Sequence, residues 1–230
     1  MYRELRQRVL VANLTLPQYG LVKFTWGNVS EIDRKNGVIA IKPSGVKYES
    51  MSIDDIVVVD LDGNIIDGRL HPSSDTATHI EIYKAFQKVG GIVHTHSRSA
   101  TIWAQAGIDI PSLGTTHADY FYGDIPCTRR LTQNEISEEY EKNTGLVIVE
   151  EFYHRKISPM AIPSVIVAGH APFSWGKDSC DAVHNAVVLE EVSAMALATR
   201  SLNSGIKIQQ ELSDKHYLRK HGEHAYYGQE

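Results

Sequence analysis

In the first third of the chain, strand-like apolar runs follow one another directly, with no helical period between them, and this constrains the fold most. Leu21–Trp26 and Val38–Lys42 bracket a polar turn containing Asn36-Gly37, a hairpin signal because both residues tolerate the positive φ of a tight turn. Ile56–Leu61 follows, then an Asp62-Gly63-Asn64 turn and Ile65-Ile66. A regular β-α-β alternation therefore fails, and an antiparallel sheet is expected. Helical spacing appears elsewhere. Leu5, Val9, Ala12 and Leu16 mark a helix that Pro17 and Gly20 end, and Pro72-Ser73-Ser74-Asp75 opens another that runs to about Gln87. Ser99–Ala106, Glu135–Lys142, Asp181–Arg200 and Gln209–His221 also read as helices. Ile92–His96, Leu146–Phe152 and Val165–Ala168 read as strands, and Ile110–Arg130 has little periodicity. No linker, repeat or composition shift divides the chain. The expected architecture is a single α/β domain over 1–230, with a mostly antiparallel central sheet flanked by helices.

Composition narrows the function classes. The chain has 230 residues, 42% of them apolar, and a net charge of −5 at pH 7. That balance suits a globular protein with a sizeable core and argues against a dedicated nucleic-acid binder, which needs a basic face. No apolar run approaches the ~20 residues of a membrane span. The charged N-terminus does not resemble a signal peptide. Cys127 and Cys180 are too few and too far apart for a disulfide framework. Both are expected to be reduced packing residues, as in the cytoplasm.

The 11 histidines direct the chemistry. In His94-Thr95-His96 the imidazoles lie two residues apart, so on a strand both face one side and converge. His170 ends the next buried strand at a Gly-His-Ala-Pro turn, and Asp75 opens the helix just before the His94 strand. Three imidazoles and a carboxylate make a Zn²⁺-type donor set. Asp75 taken alone reads more readily as a helix N-cap than as a ligand. Three turns of small residues offer backbone N–H groups or hydroxyls to a phosphate: Gly27-Asn28, Lys42-Pro43-Ser44-Gly45 and Pro72-Ser73-Ser74. The last sits at a helix N-terminus, whose dipole favours an anion. Asp119, in Gly114–Tyr120, offers a proton carrier, and the tail carries Tyr226-Tyr227. Walker A, GxGxxG and GxSxG motifs are absent from the sequence, so nucleotide hydrolysis, dinucleotide binding and a serine hydrolase lack support.

Together, Trp26–Ser30, Lys42–Val46, Pro72–Thr76, Gly91–Ser97, Gly114–Tyr120 and the tail Lys220-His221-Gly222 with Ala225–Gln229 resemble the class II aldolase/adducin head-domain family, in its epimerase branch. The resemblance runs from about Leu5 to Gln229. It implies one Zn²⁺ per subunit, bound by Asp75, His94, His96 and His170. It implies a phosphate end held by Gly27, Asn28, Lys42, Ser44, Gly45, Ser73 and Ser74. Asp119 and Tyr227 would be the acid–base pair, in a cytoplasmic C4 homotetramer with its sites at subunit interfaces. The tail 222–230 would complete a neighbouring site, and Tyr227 would need positive charge nearby, from zinc or His216, because a free phenol has a pKa near 10. The implied reaction is epimerisation at C4 of L-ribulose 5-phosphate to D-xylulose 5-phosphate, by cleavage and re-formation of C3–C4. The implied partner is therefore a small phosphorylated ketopentose, with neither nucleic acid nor membrane. The aldolase branch usually has Glu where this chain has Asp75, so aspartate favours epimerisation. The alternatives are an L-fuculose-phosphate-like aldolase, a non-catalytic adducin-like interaction domain and a purely structural zinc. Which pentose route is served, L-arabinose catabolism, ascorbate or another, the residues leave open.

Overall fold

The computed structural model describes residues 2–222 and 225–226. Helix α1 (Arg3–Gln18) is followed by strands β1 (Asn28–Asp33), β2 (Val38–Ile41), β3 (Val57–Asp60) and β4 (Ile65–Asp67). Next come α2 (Thr76–Ala85), β5 (Gly91–His94), α3 (Arg98–Ala106), α4 (Thr115–Ala118), α5 (Gln133–Ser137) and α6 (Tyr140–Arg155). The described chain closes with β6 (Ser164–Ile166), β7 (Pro172–Gly176), α7 (Ser179–Leu202) and α8 (Gln210–His221). The strands form one sheet in the order β4-β3-β2-β1-β5-β7-β6, with every neighbouring pair antiparallel.

Both faces of the sheet are covered. Alternate residues point to opposite faces, and the burial follows that period. Val29, Val38, Ala40, Val58 and Val93 pack with Leu5, Val9 and Leu16 of α1 and with Ala182, Val183 and Ala186 of α7. Ile39, Val57, Val59, Ile92, Phe173 and Trp175 pack on the other side with Ile82, Tyr83, Ile148 and Phe152 of α2 and α6. A third cluster joins α3 and α7 to Ile110, Phe121, Ile125 and Ile166.

Four expectations need correction. The hairpin around Asn36-Gly37 pairs β2 with β1, not with Leu21–Trp26. Leu21 and Val22 are buried in a loop against α1, while Phe24 and Trp26 are exposed. β1 escapes a hydropathy reading because Asn28, Ser30 and Glu31 are polar, yet each is buried with a partner, as buried polar groups require. Leu146–Phe152 is helical, part of α6. Its buried residues Thr144, Gly145, Val147, Ile148 and Phe152 follow a helical period that the local L-V-I-V run hides. There α6 presses on α2 so closely that a Cβ on Gly145 would lie 2.9 Å from Thr78 O. Strand β7 was not foreseen, since its buried run of five begins with proline and ends with glycine. Finally, Cys127 is buried but Cys180 is exposed, so only the first packs in the core. Smaller shifts occur at element ends: Pro17 lies inside α1, and β5 stops at His94 rather than His96.

Candidate active site

At the carboxyl end of β5 the chain opens into a cavity of about 630 Å³. Its wall carries Gly27, Asn28, Lys42, Ser44, Gly45, Ser73, Ser74, Asp75, His94, His96 and His170. Sheet order explains the convergence. β1 and β7 flank β5, with Asn28 opposite His94 and His94 opposite Phe173. The loop between β6 and β7 therefore brings His170 to the point where β5 delivers His94 and, two residues on, His96.

The three rings pack mutually, with centroids 5.0–5.1 Å apart. One nitrogen from each lies within 4.8 Å of the others. Asp75 Oδ2 is 4.0 Å from His94 Nε2. Asp75 occupies the N-cap position of α2, but its side chain makes no capping hydrogen bond. Its carboxylate instead accepts from Asn28 Nδ2 at 2.7 Å. Burial pushes the Asp75 carboxyl up, but His94, His79 and the Asn28 amide outweigh this and hold it below the usual carboxylate range.

These donors fit a divalent cation. His94 Nδ1 lies 2.9 Å from Pro172 O. That carbonyl can only accept, so the proton sits on Nδ1 and Nε2 keeps its lone pair for a metal. His170 Nδ1 is buried with no hydrogen-bond partner among the described residues. Burial lowers the His170 pKa to about 4 and moves His96 downward too, so both rings are neutral and free to donate near neutral pH. Nitrogen and carboxylate donors of this kind suit Zn²⁺.

Beside the histidines lies a cradle for an anion. Lys42 is buried, and burial lowers its pKa to about 8. Its Nζ has backbone carbonyls at 3.4 Å, those of Thr25 and Pro43, and sits 4.9 Å from the centre of the Tyr48 ring. Gly27 and Gly45 hold φ of +77° and +68°, a region that favours glycine. Gly27 also lies against β5: a Cβ there would fall 2.7 Å from His94 O. Gly27→Ala is therefore expected to cost about 1–3 kcal/mol of stability, a Tm fall on the order of 2–12 °C. A thermal melt unchanged from wild type would contradict this.

Asp119 is not among the described residues that line this cavity. Asp119 follows α4 and faces α8. Its carboxylate accepts from Arg219 Nη2 at 2.9 and 3.0 Å, and its Oδ1 lies 3.0 Å from His216 Nδ1. His216 thus serves Asp119 here. Tyr227, with most of the 222–230 tail, lies outside the described residues. Conversely, Thr25, Tyr140 and Glu141 line the cavity and were not foreseen. Tyr140 and Glu141 open α6; the sequence puts them in a helix, Glu135–Lys142, but no local signal places that helix near His170.

Comparison with known proteins agrees with the fold. The sequence profile described as Class II Aldolase and Adducin N-terminal domain matches residues 7–197. A protein of Salmonella paratyphi A (strain ATCC 9150 / SARB42), named L-ribulose-5-phosphate 4-epimerase UlaF, is 58% identical over 228 residues, 99% of each chain. The structure of an L-fuculose 1-phosphate aldolase superimposes with a TM-score of 0.78 at 22% identity, covering 93% of this chain and 94% of that one. A second such aldolase, from Glaciozyma antarctica PI12, gives 0.76 at 18% identity, covering 94% of this chain and 80% of the other.

Proposed function

The chain belongs to the class II aldolase and adducin N-terminal domain family, and on that footing we propose that it epimerises L-ribulose 5-phosphate at C4, giving D-xylulose 5-phosphate. The full-length likeness to an enzyme of that name supports the substrate. The observation that carries the chemistry is the convergence of Asp75, His94, His96 and His170 beside a buried lysine in one cavity.

The hydrogen on C4 of this ketopentose is not acidic, because the carbonyl is at C2. Inversion therefore needs carbon–carbon cleavage. The C4 hydroxyl loses its proton, the C3–C4 bond breaks, and C4 becomes the aldehyde of glycolaldehyde phosphate. The electron pair passes to the enediolate of dihydroxyacetone. The aldehyde turns about its phosphate tether, C3–C4 re-forms on the other face, and the new alkoxide takes a proton. Asp75, His94, His96 and His170 would hold a divalent cation, Zn²⁺ by its donor set, which would supply Lewis-acid stabilisation of the negative charge left on the dihydroxyacetone fragment.

The chain's residues do the rest. Lys42, with the N–H groups and hydroxyls around Gly27-Asn28, Ser44-Gly45 and Ser73-Ser74, holds the phosphate so that the aldehyde rotates without leaving. Asp119 and Tyr227 exchange protons on opposite faces of C4, which a stereochemical inversion requires. Asp119 is not among the residues lining the cavity of its own chain. It and Tyr227 reach substrate in a cytosolic C4 homotetramer whose subunits complete one another's sites, the tail 222–230 included.

Incubating the metal-loaded protein with L-ribulose 5-phosphate is expected to give D-xylulose 5-phosphate, with zinc near one per chain by elemental analysis. Accumulation of free dihydroxyacetone and glycolaldehyde phosphate would make the protein an aldolase instead. No conversion at all would overturn the reading.

A further inference from the structure

The anion cradle is built from three turns, and their donors meet at one point only if the turns are tied to one another. Two ties are made by the turns themselves. Asn28 Nδ2 donates to Ser73 Oγ at 3.0 Å, joining the Gly27-Asn28 turn to Ser73-Ser74. Ser73 N donates to Lys42 O and Ser44 N to His71 O, both at 3.0 Å, joining the Lys42 turn to the same segment. Between the Gly27 turn and Lys42 the direct link is weak. Lys42 Nζ reaches Thr25 O at 3.4 Å, beyond the usual range of an N–H···O bond.

Tyr48 fills that gap. It opens a single-turn helix, Tyr48–Ser50, and is buried. Its hydroxyl donates toward two carbonyls, Trp26 O at 2.8 Å and Gly27 O at 2.9 Å. Carbonyls only accept, so both share the one phenolic proton. Burial pushes the phenol's pKa up, which keeps the hydroxyl a donor. A trans peptide holds its C=O and the following N–H on opposite sides. A phenol at Trp26 O therefore leaves the Gly27 N–H directed away from Tyr48. Gly27 lines the cavity and Tyr48 does not, so the phenol stands behind the wall. The same ring meets the cation, with Lys42 Nζ 4.9 Å from its centre. Lys42 is buried too, and a desolvated ammonium gains more from a ring than an exposed one does. The ring thus orients an ammonium that carbonyls at 3.4 Å, those of Thr25 and Pro43, hold loosely.

We infer that Tyr48 is a positioning residue for the phosphate end: its hydroxyl sets the Gly27 turn and its ring sets the Lys42 ammonium, so that a backbone donor and a cation from separate turns serve one anion. This rests on the reading of Lys42 and the Gly27-Asn28 turn as the phosphate end.

The test is binding of inorganic phosphate to the zinc-loaded protein, followed by phosphorus NMR, alongside steady-state kinetics on L-ribulose 5-phosphate and a thermal melt. Tyr48→Phe removes the hydroxyl and keeps the ring; Tyr48→Leu removes both. Tyr48→Phe is expected to weaken phosphate binding and to raise KM, each about 3–10-fold. The change in kcat should be smaller, because a phosphate held alike in the ground and transition states contributes uniform binding. Tyr48→Leu is expected to lose more. In a Lys42→Met background the two variants should bind phosphate alike, because the ring acts through the missing ammonium. Where Tyr48→Leu fails to fold, Tyr48→Phe carries the test through the hydroxyl alone. Wild-type phosphate binding and KM in Tyr48→Phe, or a fall in kcat and Tm with both unmoved, overturns the inference; a loss of phosphate binding in Lys42→Met then leaves the phosphate reading intact. A wild-type protein that binds no phosphate, or a Lys42→Met protein that binds it as wild type does, overturns the phosphate reading, and this inference with it.

Discussion

Stripped of metal by a chelator and assayed in metal-free buffer, the protein is expected to lose its epimerase activity and to regain it on addition of zinc. Breaking C3–C4 places a full negative charge on the dihydroxyacetone fragment. A Lewis acid at that charge contributes several kcal/mol, and 4 kcal/mol corresponds to about 10³-fold in rate. Water and the described side chains around His94 and His170 offer no comparable replacement, since both imidazoles serve as lone-pair donors. The fold is expected to survive, because its three apolar clusters do not include the four donors. Far-UV circular dichroism of the stripped protein checks that, and full turnover without metal would sink the mechanism.

Asp119→Asn is expected to lower kcat by about 10²–10⁴-fold, the range for removing one acid–base group, with little change in KM. Asparagine preserves the size of the side chain and still accepts a hydrogen bond from Arg219, but it cannot take a proton. Tyr227→Phe is expected to behave alike for the opposite face. Each variant should still condense dihydroxyacetone with glycolaldehyde phosphate detectably, because one proton carrier remains. Rate constants near wild type for either substitution would remove that residue from the pair.

Much of the helical frame is legible locally. The Leu5, Val9, Ala12 and Leu16 period forms α1, and Ser179–Leu202 and Gln210–His221 lie within a few residues of where their spacing places them. A helix records its burial in its own sequence, because one stripe faces the core. The strands are less legible in proportion to how polar they are. β1 is buried through partners 49 and 148 residues away, His79 for Ser30 and Ser179 for Glu31, and no window of sequence contains them. α6 was misread for a related reason: the stripe that decides its period is the one it shows to α2, across Gly145.

The site divides along the same line. Residue types and spacings determined which groups could act: two histidines two apart, a third at a glycine turn, an aspartate opening a helix, and small residues around a lysine. Only the tertiary structure decided which of them meet, because β1 and β7 happen to flank β5, and that order joins positions 28, 94 and 170 across gaps that hydropathy cannot span. It also turned Asp75 from a helix cap toward His94, brought in Tyr140 and Glu141, and set Asp119 against α8 instead of the cavity. A chain states its local torsional preferences residue by residue, but the pairing of distant polar groups is fixed only when the burial of the sheet forces each to find a partner.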